Sequence, residues 1–466
     1  MTLLRRLIVL FLFLAAGPFV GLAHAQADKN TAWDRLKGDP VRDTMKQWFT
    51  DTQHQDATRI PPGTRITMQN RQQYKQFMPY GMIGFFEGKW YWKMPSDVEI
   101  PIGPTRIIPF TKGYTEATEK YSSQTRVVRE PDGRMDVANY VAGQSFPNPQ
   151  EPDKGYKVLA NTWFKNVAHL LGTTPATGDS MFCAVDRFGN HSCQYVQSVY
   201  RQLAYNSDPG VPRTESTSSG KFWYSEWLMV DIPEQARYTA VLTLHPMDVS
   251  QEEDDYTFVP SLRRSLRLST SARCSPLFGS DMIKDDQRVG FNGGLAKFYP
   301  DWLGSRKIIA ITELTGAEGK FPDNFDMPMG WSKPSWGDYQ VRDVDVIDIR
   351  RIPSMRPGYC YGSKIAYVDK AMNQSIWDEI YDPNLELWKV VPLWLAPATD
   401  VVTGDVYAPM NVIEQWYDIQ NDHVTHIGTG SQDGTHNTVL ANHDFPLRYW
   451  DLVRYTTPTG LMMIMR

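Results

Sequence analysis

Several stretches of this chain carry side chains of a kind that does chemistry, and their spacing sorts them. Gly178-Asp179-Ser180 shares the opening of a hydrolase nucleophile elbow, but the second Gly and the strand-to-helix context are missing, so a loop is expected there. His423 and His426 are spaced i, i+3, with His436 and His443 following. On a helix that spacing can present two ligands to a metal, yet Asn421 to Asn437 is rich in Gly, Thr, Asp and Asn and reads as a surface loop. No carboxylate completes a ligand set, and no metal is expected. The acidic pairs Asp254-Asp255, Asp285-Asp286 and Asp378-Glu379 supply carboxylates of the type glycosidases use. Adjacent residues on a strand point to opposite faces, so none of these pairs is itself a catalytic pair. Arg263, Arg264 and Arg267 follow Tyr256 to Pro260, with Asp285 and Asp286 further along. Arg forks match carboxylates, which predicts an internal Arg–Asp network; the functional alternative is a site for an anionic head group. Cys183, Cys193, Cys274 and Cys360 allow three pairings. Cys183 and Cys193 flank the turn-like Asp186 to Asn190, so a local bridge is expected there, leaving Cys274 with Cys360.

The elements that must position these groups begin after an export signal. Arg5-Arg6, the apolar run Leu7 to Ala16 and Ala23-His24-Ala25 read as a cleaved secretory signal peptide over residues 1–25. Its apolar core is too short to span a bilayer. No later segment approaches about 18 consecutive apolar residues, so a soluble mature protein is expected. Export favours disulfides over thiol catalysis or zinc for the four cysteines. The whole chain has 466 residues, 41% hydrophobic and 22% charged, with net charge −5. That balance excludes wholesale disorder, and the absence of a basic excess argues against nucleic acid as a partner. Fifteen Trp and 23 Tyr point toward strands and broad apolar contacts.

Residues 26–60 read as an N-terminal helical segment, with Trp33, Leu36, Val41, Met45 and Trp48 at helical steps, and 61–466 as a single domain. Tyr74 to Met78 is a second helical candidate. Beyond it the period drops toward two. Trp90 to Lys93, Tyr238 to Leu244, Leu266 to Ser269, Asp343 to Val346, Lys364 to Asp369, Ser375 to Tyr381 and Leu387 to Val391 all read as strands. Ile347 breaks the alternation as a bulge would. Tight polar turns between short strands predict an antiparallel meander with one face on a core and the other toward water or ligand.

Read together, Tyr256-Thr257-Phe258-Val259-Pro260-Ser261-Leu262-Arg263-Arg264, Asp285-Asp286 with Phe291-Asn292-Gly293, and Pro357-Gly358, Tyr361, Lys364, Tyr367-Val368-Asp369, Trp377, Tyr381-Asp382 and Leu387-Trp388 resemble the ordered motifs of one bacterial family. Upstream, Gly63-Thr64, Asn70, Tyr74-Lys75, Gly103-Pro104-Thr105, Glu119-Lys120-Tyr121 and Phe146-Pro147-Asn148-Pro149 fit as well. The family is the domain of unknown function numbered 1329, described as outer-membrane lipoprotein-sorting-protein-like. Here Ser265 and Leu266 separate Arg264 from Arg267, which thins the family's second Arg pair. The motif-matched polar network comprises Arg263, Arg264, Arg267, Asp285, Asp286 and Asn292.

The resemblance implies a mainly β (α+β) fold: a large curved antiparallel sheet, like an unclosed barrel, with helices on its concave face and a hydrophobic cavity between. It implies no catalytic residues and no cofactor. It also implies company, a resistance-nodulation-division type transporter and an outer-membrane protein. The expected function is therefore a periplasmic, non-enzymatic carrier of a hydrophobic ligand, an expectation that a fully packed interior would sink. The alternatives are a structural subunit of an envelope transport complex and a Trp-rich glycan-binding protein, the latter requiring exposed Trp faces.

Overall fold

Short runs of β-branched and aromatic residues between polar turns fold, among the described residues, into fifteen strands of one sheet. The computed structural model describes residues 32–55, 59–176, 179–216, 220–269, 273–312, 322–323, 325–334, 337–430 and 439–465. Residues 1–25, where a signal peptide is expected, and Gly178 and His436 lie outside them. In chain order the strands are β1 (Leu170–Thr173), β2 (Asp179–Asp186), β3 (His191–Gln202), β4 (Phe222–Ile232), β5 (Ala240–Pro246), β6 (Asp254–Val259), β7 (Arg264–Arg267), β8 (Phe298–Ala310), β9 (Gln340–Arg351), β10 (Ser363–Asp369), β11 (Gln374–Tyr381), β12 (Leu387–Thr399), β13 (Val406–Asp418), β14 (His423–Gly430) and β15 (Leu440–Ala441). Their spatial order is β7-β6-β5-β4-β3-β2-β14-β13-β12-β11-β10-β9-β8, while β1 pairs with β3 and β15 with β1. Two antiparallel meanders are thus joined where β14 lies beside β2, with His426 opposite Cys183. No pairing joins β7 to β8, so the sheet stays open. It is strongly curved: Leu395 of β12 donates to the Ile311 carbonyl, just past β8, at 3.0 Å, although three strands separate β8 from β12.

The sheet is covered on both faces. Helix α1 (Pro40–Asp51) starts at Asp39, whose carboxylate caps the amides of Val41 and Arg42, with Pro40 in the first turn. It buries Val41, Met45, Trp48 and Phe49 against the face that carries Val344 and Val346. Full burial of a side chain such as Met45 stabilises by about 2–3 kcal/mol. Arg42 reaches the same face and pairs with Asp348 at 2.7 Å and Asp301 at 2.6 Å. Helix α2 (Tyr80–Glu87) joins this layer. Helix α3 (Lys112–Tyr121) precedes α4 (Lys154–Trp163), which packs on the opposite face with Ile347 and Ile349. Two short C-terminal helices, Leu452–Thr456 and Pro458–Leu461, cover β4 and β5, where Trp227 and Tyr455 meet edge to face at 5.1 Å.

Three local expectations change. Polar alternation in β9 to β11 does not mean a wet face: β10 and β11 are buried along their whole length. Their charged side chains meet protein groups instead of water: Lys364 and Asp369 pair with Asp286 and Arg342, and Asp378 and Glu379 accept from neutral donors such as Ser375 and the Gly81 amide. Trp90 to Lys93 is bent chain, not strand, because Trp92 turns inward to full burial and Trp90 lies over Gly84. A Cβ at Gly84 would sit 2.2 Å from the indole, so only glycine admits that contact. Finally, the irregularity near Ile347 belongs to the neighbouring strand: Trp302 pairs with Ile347 and Gly304 with Val346, leaving Leu303 of β8 as the extra residue.

Candidate functional site

The sheet order has one strong consequence. β7 and β8 are consecutive strands at opposite edges, so the chain between them must cross the molecule. Residues 273–297 of this connection form a strap over the face that β4, β6, β9, β10, β12 and β14 share, and each of these strands sends at least one polar side chain to it. Arg273 pairs with Glu253, Asp285 and, at 2.6 Å, Glu252. Asp281 accepts from Thr425 Oγ1 at 2.6 Å and meets His423 Nδ1 at 2.7 Å, while its carbonyl takes Lys389 Nζ at 2.6 Å. Lys284 pairs with Asp255. Asp285 accepts from Arg351 Nη2 at 3.0 Å and Tyr359 at 2.9 Å. Asp286 accepts from Tyr361 at 2.6 Å and pairs with Lys364. Asn292 donates to Glu226 at 3.0 Å, and Glu226 also meets His245 Nε2 at 3.1 Å.

Burial works against ionising Asp285 and Glu253, but the neighbouring cations outweigh it: Arg273 and Arg351 hold Asp285 low, and Lys297 and Arg273 hold Glu253 low. Asp378, buried on β11, shows the opposite balance. Burial pushes it up to about 7, against the attraction of Lys364. It lies so close to the strap that a Cβ at Gly290 would come within 2.2 Å of its Oδ2. The strap is fastened covalently by Cys274–Cys360, and Cys183–Cys193 ties the β2–β3 hairpin.

The motif-matched residues therefore separate. Asp285, Asp286 and Asn292 are buried and share the strap network. Arg263, Arg264 and Arg267 do not join it. They sit exposed on the β6–β7 edge hairpin, with Arg263 in the left-handed turn and Arg267 paired with Asp254 across the hairpin. An edge hairpin keeps its charges in water, and the aspartates take cations that arrive from the strap and from β9 and β10. Sequence reasoning missed Arg273 and Arg351; the only signal was Arg351 continuing the Ile347, Ile349 face of β9. The histidines also disperse. His423 and His426 lie on strand β14 rather than in a surface loop, and three residues along a strand is half a period out of phase. His423 meets Asp281, whereas His426 is buried on the other face beside Gln415, where burial pushes it down to about 3. His443 meets Asp400 at 2.7 Å. Asp254 and Asp255 turn to opposite faces, as do Asp378 and Glu379, the latter accepting from Gly81 N at 2.6 Å.

Between strap and sheet lies a cleft of about 70 Å³. Leu171, Phe182, Leu228 and Ile427 give it apolar walls, and Arg288 and Glu414 supply polar groups. Two larger hollows lie elsewhere: a mainly polar one of about 210 Å³ beside Lys154, Asn161 and Asp345, and a shallow, open one of about 360 Å³ along residues 145–150 with mixed walls that include Phe146, Pro147 and Pro149. Drug-sized ligands occupy roughly 300–1,000 Å³, so among the described residues the expected hydrophobic cavity is not open to the size of an acyl chain. Six Trp rings are withdrawn from any sugar platform: Trp48, Trp92, Trp163, Trp223, Trp377 and Trp416 are each at most 2% exposed.

A family model described as "Protein of unknown function (DUF1329)" matches residues 65–452. None of the curated proteins matches the chain. Among solved structures, the chain is similar to one described as an outer membrane lipoprotein-sorting protein domain from Vibrio parahaemolyticus, at 12% identity and TM-score 0.41, covering 65% of this chain and 99% of that one. A DUF1329 family protein from Desulfovibrio piger aligns at 12% identity and TM-score 0.42, over 66% of this chain and 100% of that one. A LolA superfamily protein from Nitrosomonas europaea aligns at 12% identity and TM-score 0.33, over 61% and 89% respectively.

Proposed function

The chain belongs to the DUF1329 family, and on that premise we propose that it is a non-enzymatic periplasmic binding protein that carries a hydrophobic ligand, such as a lipid, an acyl chain or the lipidated end of a lipoprotein, during envelope transport. The observation that carries this reading is the cleft under the strap, whose apolar walls and few convergent polar groups are the usual composition of a small-molecule site. Its closed volume requires that uptake widen it. The rim offers a place: β15 is held to β1 by two residue pairs, Leu440 with Gly172 and Ala441 with Leu171, far less than the neighbouring ladders. Each methylene that enters contributes about 0.8 kcal/mol. Two disulfides suit an oxidising compartment, and the N-terminal sequence supports export.

The test is native mass spectrometry of protein isolated from the periplasm, followed by solvent extraction and titration with a fluorescent fatty acid. A co-purifying lipid or saturable uptake is the expected result. A bare chain mass together with no uptake would overturn the reading.

One observation favours a second role, as a docked subunit of an envelope complex with an inner-membrane transporter or an outer-membrane protein. Val401, Val402 and Leu447 are 78%, 68% and 89% exposed, and the Val401 amide donates to Asp444 Oδ1 at 3.1 Å, which brings the two loops side by side. Crosslinking in intact cells should return a membrane partner that is lost on replacing Val401 and Leu447 with Asp.

A further inference from the structure

The strap and the face beneath it carry many buried cations, and most of them have a carboxylate of their own. Arg273 has Glu253 and Asp285, Lys284 has Asp255, Lys297 has Glu252 and Glu253, Arg351 has Asp285, and Lys364 has Asp286. Lys165 and Lys389 have short bonds to backbone carbonyls instead, each at 2.6 Å; among the described residues Arg288 has no partner of either kind at such a distance. It is 4% exposed and sits at φ 55°, in the left-handed region. Its guanidinium lies over three rings, 4.1 Å from the centroid of Tyr224, 5.0 Å from Trp223 and 5.2 Å from Trp163. Among the described residues no carboxylate pairs with it. Nη2 makes one long bond to the Trp163 carbonyl at 3.4 Å, and Nε has no partner.

Rings stacked on a guanidinium satisfy its faces but not its in-plane N–H donors. A buried charge with unmatched donors is costly, and a fold that keeps one in a strained backbone conformation has a use for it. Those donors belong to a residue that lines the cleft. The volume of about 70 Å³ there is that of a head group rather than a chain; a water occupies roughly 30 Å³. Leu171, Phe182, Leu228 and Ile427 continue the walls. Lys165, 4% exposed, fixes the Arg288 carbonyl through a 2.6 Å bond, and burial together with the nearby Arg288 charge pushes its own ammonium well below the ordinary lysine range. Glu414 also lines the cleft, where it accepts from Trp416 Nε1 at 2.8 Å. Its presence disfavours a dianion.

Resting on the reading of this cleft as the ligand site, we infer that Arg288 anchors a monoanionic head group, a carboxylate or a phosphodiester, so that the ligand is an acidic amphiphile and not a neutral hydrocarbon.

The experiment compares parinaric acid with its methyl ester, by fluorescence titration, on wild-type protein, Arg288→Met and Arg288→Lys. Wild type should bind the acid roughly 10- to 100-fold more tightly than the ester, the range expected of a buried charge-assisted hydrogen bond. Arg288→Met should lose that preference yet unfold at the same or a higher temperature, because it removes a buried charge that has no carboxylate. Arg288→Lys should keep part of the preference, and it carries the test should the Met variant fail to fold. Displacement of the acid by lysophosphatidylglycerol would assign a phosphodiester head, and failure to displace it a free carboxylate; either outcome supports the inference. Equal binding of acid and ester by wild type would overturn it while leaving the cleft as the ligand site. Absence of binding by both would overturn the cleft reading and the inference together.

Discussion

Charge placement in this protein turns on which ion pairs lose their water. Lys364 and Asp286 are both buried, so replacing Lys364 with Met strands a carboxylate and is expected to cost about 3–5 kcal/mol in chemical denaturation. Arg267→Ala, at the exposed hairpin, should stay within about 1 kcal/mol although it breaks a comparable contact. Equal losses would mean that the hairpin arginines belong to the structural network after all. Protonation gives a second prediction. Asp378 and Glu379 are pushed up to about 7 by burial, so the folded state holds their protons where the unfolded chain releases them. Their contribution is complete below about pH 4 and is lost as pH rises through about 7. Glu215, held down to about 2 by His169 and Arg201, has the opposite sign: its contribution is present above about pH 4.5 and fades as pH falls toward 2. Urea midpoints at pH 5 and pH 8 should therefore differ less in Asp378→Asn than in wild type. An unchanged difference would remove Asp378 from the linkage.

The strap is the element on which most of the polar face depends, and it is held at one end by Cys274–Cys360. These cysteines are separated by 86 positions, against 10 for Cys183–Cys193. In the chain-entropy description the longer loop gains about 4.6 kcal/mol and the shorter about 3. Removing Cys274 and Cys360 together should thus destabilise more than removing Cys183 and Cys193, and should raise amide exchange selectively over residues 275–297. Uniform exchange across the sheet would show that the ion pairs alone hold the strap. The strap network was only half legible beforehand. Asp285, Asp286 and Asn292 stood out as motif residues, but their partners Arg273, Arg351, Lys364 and Glu226 come from four separate segments, and nothing local marks such a meeting.

At the scale of the molecule, both faces of a single open sheet must be covered, and the cover comes from sequence-distant pieces. The N-terminal helical segment is one of them: Trp48 donates to the Met78 carbonyl at 3.0 Å, and Arg42 crosses to Asp348 and Asp301. A chain beginning at residue 61 should therefore bind a hydrophobic dye and lose cooperative thermal unfolding, since Val344, Val346 and two buried aspartates would be uncovered. Normal cooperativity would show the segment to be an appendage.

The sequence by itself determined what local chemistry can dictate. The antiparallel strands β5, β7, β10, β11 and the start of β12 follow from side-chain period and turn residues, α1 from its cap and apolar spacing, and the family from ordered motifs. Tertiary structure alone decided that β14 joins two meanders, that the β7–β8 connection must cross a whole face, and that His423 and His426 part company. It also left one guanidinium in an aromatic cage without a carboxylate. The physical reason is that burial and electrostatic partnership depend on which segments share a face, and a curved sheet brings together residues separated by hundreds of positions whose local sequence carries no trace of each other.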